Sequence, residues 1–295
     1  MLLILSGAVD GTSDILLEKL GSRAFRFNFD IFDEYEIKIT PSYWSIKNPA
    51  GLEISSETAT ACLWWKVTNY RAHEDEFLNE EIKYIFREIY NWFYHRNLVR
   101  GNPPDYHNRN GKLHILSKAK EYFPIPKTFV GWGFEGTPSI NANNVVAKSL
   151  SSGLTSTNRA FFTTPVNVNK LNPKYPWYLQ ESITSNFDVT VFICKNNLYA
   201  FQRSRKNLKG LDWRAEQDFN AKDDWQIRLL SRAEKRAINN LCKDLNINWG
   251  RMDFLEVNSE LVFLEFNANG QWVFLDFENK TGMIDSVCNY LLPIK

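Results

Sequence analysis

The sequence predicts a mixed α/β (α+β) protein of more than one unit, on three observations. The apolar run Leu2-Leu-Ile-Leu-Ser6, a polar turn, a short amphipathic stretch and a second apolar run at 24–28 have the order of a β-α-β unit. Towards the other end, residues 178–183, 187–194 and 198–203 read as strands of an antiparallel sheet, and 250–267 as a strand pair about a tight turn. At 295 residues the chain is long for one core and suits two or three packed subdomains.

Taken in order, the first strand enters Asp10-Gly-Thr-Ser13 and then a helix with Ile15, Leu16, Leu17 and Leu20 inward, ended by Gly21 as its C-cap. The run at 24–28 completes a parallel, right-handed crossover. Residues 34–57 suggest further strands and turns, and 62–67 a buried strand. From 74 to 93 a helix carries the apolar stripe Leu78, Ile82, Ile85, Phe86, Ile89 and Phe93, with Glu74-Asp75-Glu76 at its positive end. Gly101-Asn-Pro-Pro104 punctuates the chain and sets a first boundary. A helix over 111–122 is stopped at Pro124-Ile-Pro126, strands follow at 127–130 and 144–150, and 161–176 reads as a connector. Ser231-Arg-Ala-Glu234 is a capping box opening a helix with Ile238, Leu241, Cys242 and Leu245 inward. A last helix follows Gly282.

Composition narrows the function classes. A net charge of +1 gives no general attraction to nucleic acid or membrane surfaces, so any anion site must be local. Cys62, Cys194, Cys242 and Cys288 are scattered without a Cys-x-x-Cys pair, which fits reduced thiols in a cytoplasmic protein. Leu2–Ser6 is too short for a signal-peptide core, and no apolar run reaches membrane-span length. His73, His95, His107 and His114 lack helical ligand spacing and read as surface or structural residues.

The richest chemistry lies in Gly250-Arg-Met-Asp-Phe-Leu-Glu-Val-Asn-Ser-Glu-Leu-Val-Phe-Leu-Glu-Phe-Asn-Ala-Asn-Gly-Gln-Trp272. A three-residue turn at Asn258-Ser259-Glu260 pairs Val257 with Leu261, Leu255 with Phe263 and Asp253 with Glu265. Alternation puts Asn267 on the carboxylate face and Met252, Phe254, Leu264 and Phe266 on the buried one. Carboxylates directly across a ladder, with Cβ atoms about 5 Å apart, repel unless a cation lies between them. An oxygen-only set suits magnesium, which keeps waters and shares its shell with substrate phosphates. A two-residue turn would shift this register and separate the pair. The alternative is an exposed hairpin whose acids keep an edge soluble; Asn-Ala-Asn-Gly-Gln-Trp weighs against it, being too polar for a strand and without charge.

An anionic ligand needs cations. Lys148 ends Val145-Val-Ala-Lys148 and precedes Ser151-Ser152-Gly153, a small-residue loop whose N–H groups could add donors; the competing fate is a lysine extending to solvent. Lys112 opens a helix and either points at phosphate or lies on the surface. Arg203, Arg205 and Arg214 are phosphate or carboxylate ligands or a solvated loop. No Gly-x-x-x-x-Gly-Lys or Gly-x-Gly-x-x-Gly occurs, so neither a P-loop nor a dinucleotide fingerprint is supported.

Four segments together resemble the ATP-grasp ligases: Asn102-Pro with Asn110-Gly-Lys112-Leu; Val145-Val-Ala-Lys148; Leu179-Gln-Glu-Ser-Ile183; and Gly250-x-x-Asp253 with Leu264-Glu-Phe-Asn-Ala-Asn-Gly-Gln-Trp272. Within that superfamily the chain is similar to the graspetide (microviridin-type) maturases of ribosomal peptides, and less so to glutamate ligases that extend a ribosomal protein. The resemblance implies a Rossmann-like pre-ATP-grasp domain over 1–100, a central α/β subdomain over 101–177 and an antiparallel-sheet ATP-grasp subdomain over 178–295. It implies ATP with Mg2+, two ions, held by Asp253, Glu265 and Asn267. Lys112 and Lys148 fall on phosphate lysines, with Ser151, Ser152 and Gly153 beside them. Gln180, Glu181 and Ile183 fall on the adenine and ribose hinge, with Asp188 beyond it. Arg203 and Arg214 fall near the γ-phosphate or incoming carboxylate. One departure stands out: the family commonly reads Asp-x-Arg where this chain has Asp188-Val-Thr190.

The expected activity is ATP-dependent crosslinking of Asp or Glu side chains of a precursor peptide to Thr, Ser or Lys of the same peptide. The resemblance implies a leader segment bound in the central domain and a homodimer, with no nucleic-acid or membrane partner. The competing expectations are a ligase adding a free amino acid to a peptide or small acid, and a non-catalytic nucleotide-binding module.

Overall fold

The computed structural model describes residues 1–67, 74–132, 134, 140–150, 163–206, 208, 210 and 225–293. Ser151, Ser152, Gly153, Arg214 and His73 lie outside the described residues.

The N-terminal unit grows from β1 (Leu2–Ser6), buried along its whole length. Helix α1 (Gly11–Leu20) follows, capped by Asp10, whose carboxylate accepts from Ser13 N at 2.7 Å; Gly21 ends it at φ +56°, where a side chain would be strained. Strand β2 (Ala24–Asn28) then runs parallel to β1. A small antiparallel sheet of β3 (Glu36–Ile39), β4 (Trp44–Lys47) and β5 (Glu53–Ser55) fills the next stretch. Strand β6 (Ala61–Trp64) pairs with the other side of β1, and β7 (Val99–Arg100) extends the order to β2-β1-β6-β7. Between these two strands, α2 (Glu76–Tyr94) begins at Asp75, which accepts from Phe77 N and Leu78 N. Its expected stripe packs as read: Ile82, Phe86, Ile89 and Phe93 are buried against Phe27, Phe29 and Trp44.

At the predicted boundary, Asn102 is a tie rather than a linker: its amide donates to the carbonyls of Trp249 (2.8 Å) and Ala268 (2.7 Å). A short helix that was not expected, α3 (Tyr106–Asn110), precedes the one expected over 111–122, which is α4 (Lys112–Ala119), the two separated by Gly111 at φ +51°. A second sheet has the order β10-β9-β11-β8, from β8 (Thr128–Trp132), β9 (Val145–Lys148), β10 (Thr164–Pro165) and β11 (Pro176–Glu181). The segment 178–183 was expected beside the later antiparallel strands, yet β11 pairs with β8 and β9 instead and straddles residue 178. Both its faces are covered, Tyr178 by one core and Leu179 by another, so alternation could not reveal its neighbours.

The third sheet, β14-β13-β12-β15-β16, comprises β12 (Phe187–Cys194), β13 (Asn197–Ser204), β14 (Gln226–Ile227), β15 (Trp249–Val257) and β16 (Glu260–Asn267). Helix α5 (Arg232–Asp244) starts with the predicted capping box and, with α4, covers one face through Ile238, Leu241, Ile115 and Leu116. On the other face, Phe192, Trp249 and Trp272 join Leu2, Ile4, Leu16, Trp65 and the terminal helix α6 (Met283–Leu291) in one core. That shared core fixes the N-terminal sheet against the base of the β15–β16 hairpin. Burying one such large side chain contributes about 2–3 kcal/mol.

Candidate functional site

The hairpin turn holds two residues, not three. Asn258 and Ser259 both have positive φ (51° and 67°), the twist-matched connection, and Val257 pairs with Glu260. By itself that slip would separate the carboxylates. A β-bulge between Asp253 and Phe254 on the ladder undoes it: Phe254 faces Phe263, and the next pair is Asp253 with Glu265. Leu264 is the additional residue. The correction changes which side chains are buried: Phe263, expected on the carboxylate face, is fully buried, while Leu264, expected in the core, lines the cleft. Strand β16 lies at the sheet edge, and the Phe263 N–H is satisfied from outside the ladder by the Pro124 carbonyl at 2.9 Å.

Asn267 joins the pair as predicted. Its Nδ2 donates to Asp253 Oδ2 at 2.7 Å and to Glu265 Oε1 at 3.3 Å. Asp253 also accepts from Thr190 Oγ1 at 2.7 Å and from Arg251 Nη2 at 3.2 Å, and Arg251 donates to the Gln271 carbonyl at 2.7 Å. Gly270 permits this arrangement, since a Cβ there would lie 2.9 Å from Asn267 Cβ. Thr190 and Arg251 were not singled out from sequence. Thr190 stands where Asp-x-Arg would place arginine; the guanidinium beside Asp253 comes from Arg251. A signal for Arg251 existed, since it lies two residues before Asp253 and so on its face, directly opposite Asn267.

A cleft opens over Arg251, Asp253 and Glu265. One wall is Val146, Lys148 and Gln180 of the second sheet; the other is Asp253, Leu264 and Glu265 of the third, with Glu181 to Ile183 crossing between them. The crossing is pinned by Ser182 N donating to Asn144 O (2.9 Å) and Asn144 Nδ2 to Ser182 O (2.7 Å). Gln180 is buried at the cleft, and its side chain donates to Thr128 Oγ1 at 3.0 Å. Lys148 lines the cleft directly. Lys112, at the start of α4, donates to the Ser149 carbonyl at 2.7 Å, so both lysines gather where β9 ends. His107 is half-buried and structural, as expected: its Nε2 accepts from Ala268 N at 3.3 Å. Burial, and then the charge of Lys112, hold its imidazole below the usual histidine range, opposed by Glu265.

Asp188 is buried at the cleft with Oδ1 2.5 Å from Arg205 Nη1. Burial pushes its carboxyl up to about 6, against the pull of Arg205 and with the help of the Asp253 charge. Arg203 sits opposite Asp188 on β13, but of Arg203 and Arg205 it is Arg205 that lines the cleft. All four cysteines are free; burial raises the Cys194 and Cys242 thiols to about 12. No three His, Cys, Asp or Glu side chains gather as a metal cluster among the described residues, so the candidate ligand set is two carboxylates and one amide. No described helix is long and apolar enough to cross a membrane.

No protein-family model matches the chain, and no curated protein does. Solved structures do. A RiPP-associated ATP-grasp ligase of Chryseobacterium gregarium, in complex with ADP and a leader and core peptide, is 19% identical with TM-score 0.78, over 98% of this chain and 96% of that one. A macrocyclase from Microcystis aeruginosa bound with its precursor peptide is 20% identical with TM-score 0.80, over 99% of both chains. An ATP-grasp ligase complexed with a minimal precursor, Mg and ADP is 13% identical with TM-score 0.68, over 98% of this chain and 97% of that one.

Proposed function

We propose that this chain, whose fold is that of the ATP-grasp ligases, is an ATP-dependent peptide ligase of the graspetide kind. It would activate Asp or Glu side chains of a ribosomal precursor peptide and join them to Thr or Ser hydroxyls, or Lys amines, of the same peptide. The observation that carries this is the facing pair Asp253 and Glu265, bridged by Asn267, at the end of a cleft that Lys148 lines.

The donor chemistry fits magnesium. One or two carboxylates, with the remaining shell left to water and phosphate, is the usual protein share for that ion. Asp253, Glu265 and Asn267 would hold one or two ions; Asn267 now presents Nδ2, and a half-turn of its amide presents Oδ1 instead. Bound there, magnesium would neutralise charge on the triphosphate. Lys148 and Lys112 serve as point charges for phosphate oxygens, and the backbone from Gln180 to Ile183, with the Glu181 carboxylate, orients the base and ribose. The substrate carboxylate oxygen attacks the γ-phosphorus; the bond to the β,γ-bridging oxygen breaks, giving ADP and an acyl phosphate. An amine or hydroxyl then adds to the acyl carbon and phosphate departs with the C–O electron pair, leaving an amide or ester. No step needs a protein nucleophile. Positioning and electrostatics supply the rate.

Residues 1–100, 101–177 and 178–295 would act as pre-ATP-grasp, central and ATP-grasp parts, with the leader bound to the central one, in a cytoplasmic homodimer. Peptide-dependent ADP release tests the assignment, with a mass loss of one water per crosslink. Addition of a free amino acid would raise the mass instead. Asp253→Asn and Glu265→Gln should each abolish ADP release; unchanged turnover in both would remove these carboxylates from the ligand set, and nucleotide binding by wild type without any ADP release would leave a nucleotide-binding module.

A further inference from the structure

The ladder between β15 and β16 ends at the pair Arg251 and Asn267, so the candidate ligand Asn267 occupies its last rung. Beyond that rung the β15–β16 hydrogen bonding stops, and buried backbone groups need partners from elsewhere. Ala268 comes next and is buried. Its N–H and its carbonyl are both held by side chains from one short stretch, residues 102–107. Asn102 Nδ2 donates to the Ala268 carbonyl at 2.7 Å, and the Ala268 N–H donates to His107 Nε2 at 3.3 Å. Asn102 donates also to the Trp249 carbonyl at 2.8 Å, so one amide ties the start of β15 to the end of β16 as a further rung would. The strands are close here: Gly250 has φ +130°, and a Cβ on it would lie 3.1 Å from the Asn267 carbonyl oxygen. That oxygen accepts from Gly270 N at 3.2 Å. With its backbone held on both sides, Asn267 keeps only its side chain to turn, and that side chain faces Asp253 and Glu265.

His107 is itself fixed in place. Tyr106 beside it packs against Phe266 with ring centroids 5.4 Å apart, and Gly111 N donates to the His107 carbonyl at 2.9 Å. A ring nitrogen that accepts a hydrogen bond carries no proton, so the proton of the neutral imidazole lies on Nδ1. Nδ1 is buried and has no hydrogen-bond partner among the described residues. Leaving a buried donor unpaired is unfavourable, so the ring is oriented by its bond to Ala268 and not by the needs of its own N–H. Groups one step removed from a metal commonly orient its ligands in this way.

We propose that Asn102 and His107 are positioning residues: by gripping the peptide groups on either side of Ala268, they hold Asn267 facing Asp253 and Glu265, where the three can share a magnesium ion. The inference rests on the metal assignment above and adds to it a role for the stretch that leads out of the N-terminal unit.

ADP titrated into the full chain by calorimetry, once with magnesium and once with a chelator, separates the metal from the nucleotide. Wild type should bind ADP more tightly with magnesium. His107→Leu, which offers Ala268 N no acceptor, should lose about tenfold with magnesium and stay within about twofold of wild type with chelator. His107→Gln, whose amide oxygen can accept from Ala268 N, should restore most of the loss. Should the variants fail to fold, nitrogen NMR of the wild-type imidazoles decides: His107 should carry its proton on Nδ1, and its Nε2 resonance should move when magnesium is added to the ADP complex. The proposal is overturned if Nε2 carries the proton or is unmoved by magnesium. It is equally overturned if His107→Leu matches wild type with magnesium, weakens ADP to the same degree in both arms, or binds as well as His107→Gln. Wild type that binds ADP equally with and without magnesium overturns the metal assignment beneath it.

Discussion

Replacing Asn267 by aspartate would set a third carboxylate where the amide nitrogen now lies 2.7 Å from Asp253 Oδ2 and 3.3 Å from Glu265 Oε1. At an effective dielectric near 20, one like-charge pair at the shorter separation costs about 6 kcal/mol. Keeping the introduced carboxyl protonated at pH 7, against an ordinary aspartate, costs about 4 kcal/mol, and the smaller cost sets the destabilisation. At pH 5 the same arithmetic leaves about 1.5 kcal/mol. The sign follows from a folded-state pKa raised above the unfolded one: the penalty is absent below about pH 4 and grows as pH rises. Arg251 does not cancel it, being shared already between Asp253 and the Gln271 carbonyl. For a chain of this size, roughly 2 °C per kcal/mol gives Asn267→Asp a melting deficit of about 8 °C at pH 7 and about 3 °C at pH 5. Millimolar magnesium should recover most of the deficit at pH 7, because a cation among three carboxylates reverses their repulsion. Thermal melts by near-UV circular dichroism, at both pH values with and without magnesium, read all four quantities. Equal melting of variant and wild type at pH 7 without divalent cation would refute the convergence of these side chains. A magnesium shift identical in both would refute their role as ligands.

Asp188 gives a second pH test. Its folded-state carboxyl is raised by burial to about 6 despite Arg205, so wild type should lose stability relative to Asp188→Asn as pH climbs from about 4 to about 6, by up to about 3 kcal/mol, with a flat difference above. Denaturant melts at pH 4.5 and pH 7 measure it; a difference that does not change with pH would show that Arg205 fully offsets the burial. Gly270→Ala should crowd Asn267 through a Cβ at 2.9 Å, costing about 1–3 kcal/mol of stability or displacing the amide. Calorimetry should then show weaker MgADP binding, and unchanged affinity would mean that the hairpin absorbs the methyl without moving Asn267.

Elements whose sequence alternates or caps cleanly were legible. The α1 boundary at Gly21, the α2 stripe and the Ser231–Glu234 capping box each depend on local spacing, and each is found where that spacing puts it. β11 was misassigned because a strand covered on both faces carries no directional pattern, and only pairing with β8 and β9 identifies its sheet. The start of α4 just after Gly111 was legible, whereas α3 was not, because five residues are too few to show an apolar stripe.

The site shows how two non-local errors cancelled. Asp253 and Glu265 were paired by assuming a three-residue turn, whereas the turn has two residues and a bulge returns the missing offset. Alternation cannot distinguish these cases, because both leave apolar Met252, Phe254 and Phe266 buried and the acids together. What distinguishes them is which of Phe263 and Leu264 is buried. The larger, aromatic Phe263 takes the core position against Phe254 and leaves Leu264 to the cleft. The same limit hid the setting of Asp253. Thr190 reaches it from β12, and Gln271 steadies Arg251 from beyond β16; neither relation has a fixed spacing in sequence. The missing arginine at position 190 therefore does not leave Asp253 without a cation, since β15 supplies one from its own face. Charge at this cleft is set by which side chains the second and third sheets bring to it, and the cation beside Asp253 comes from β15.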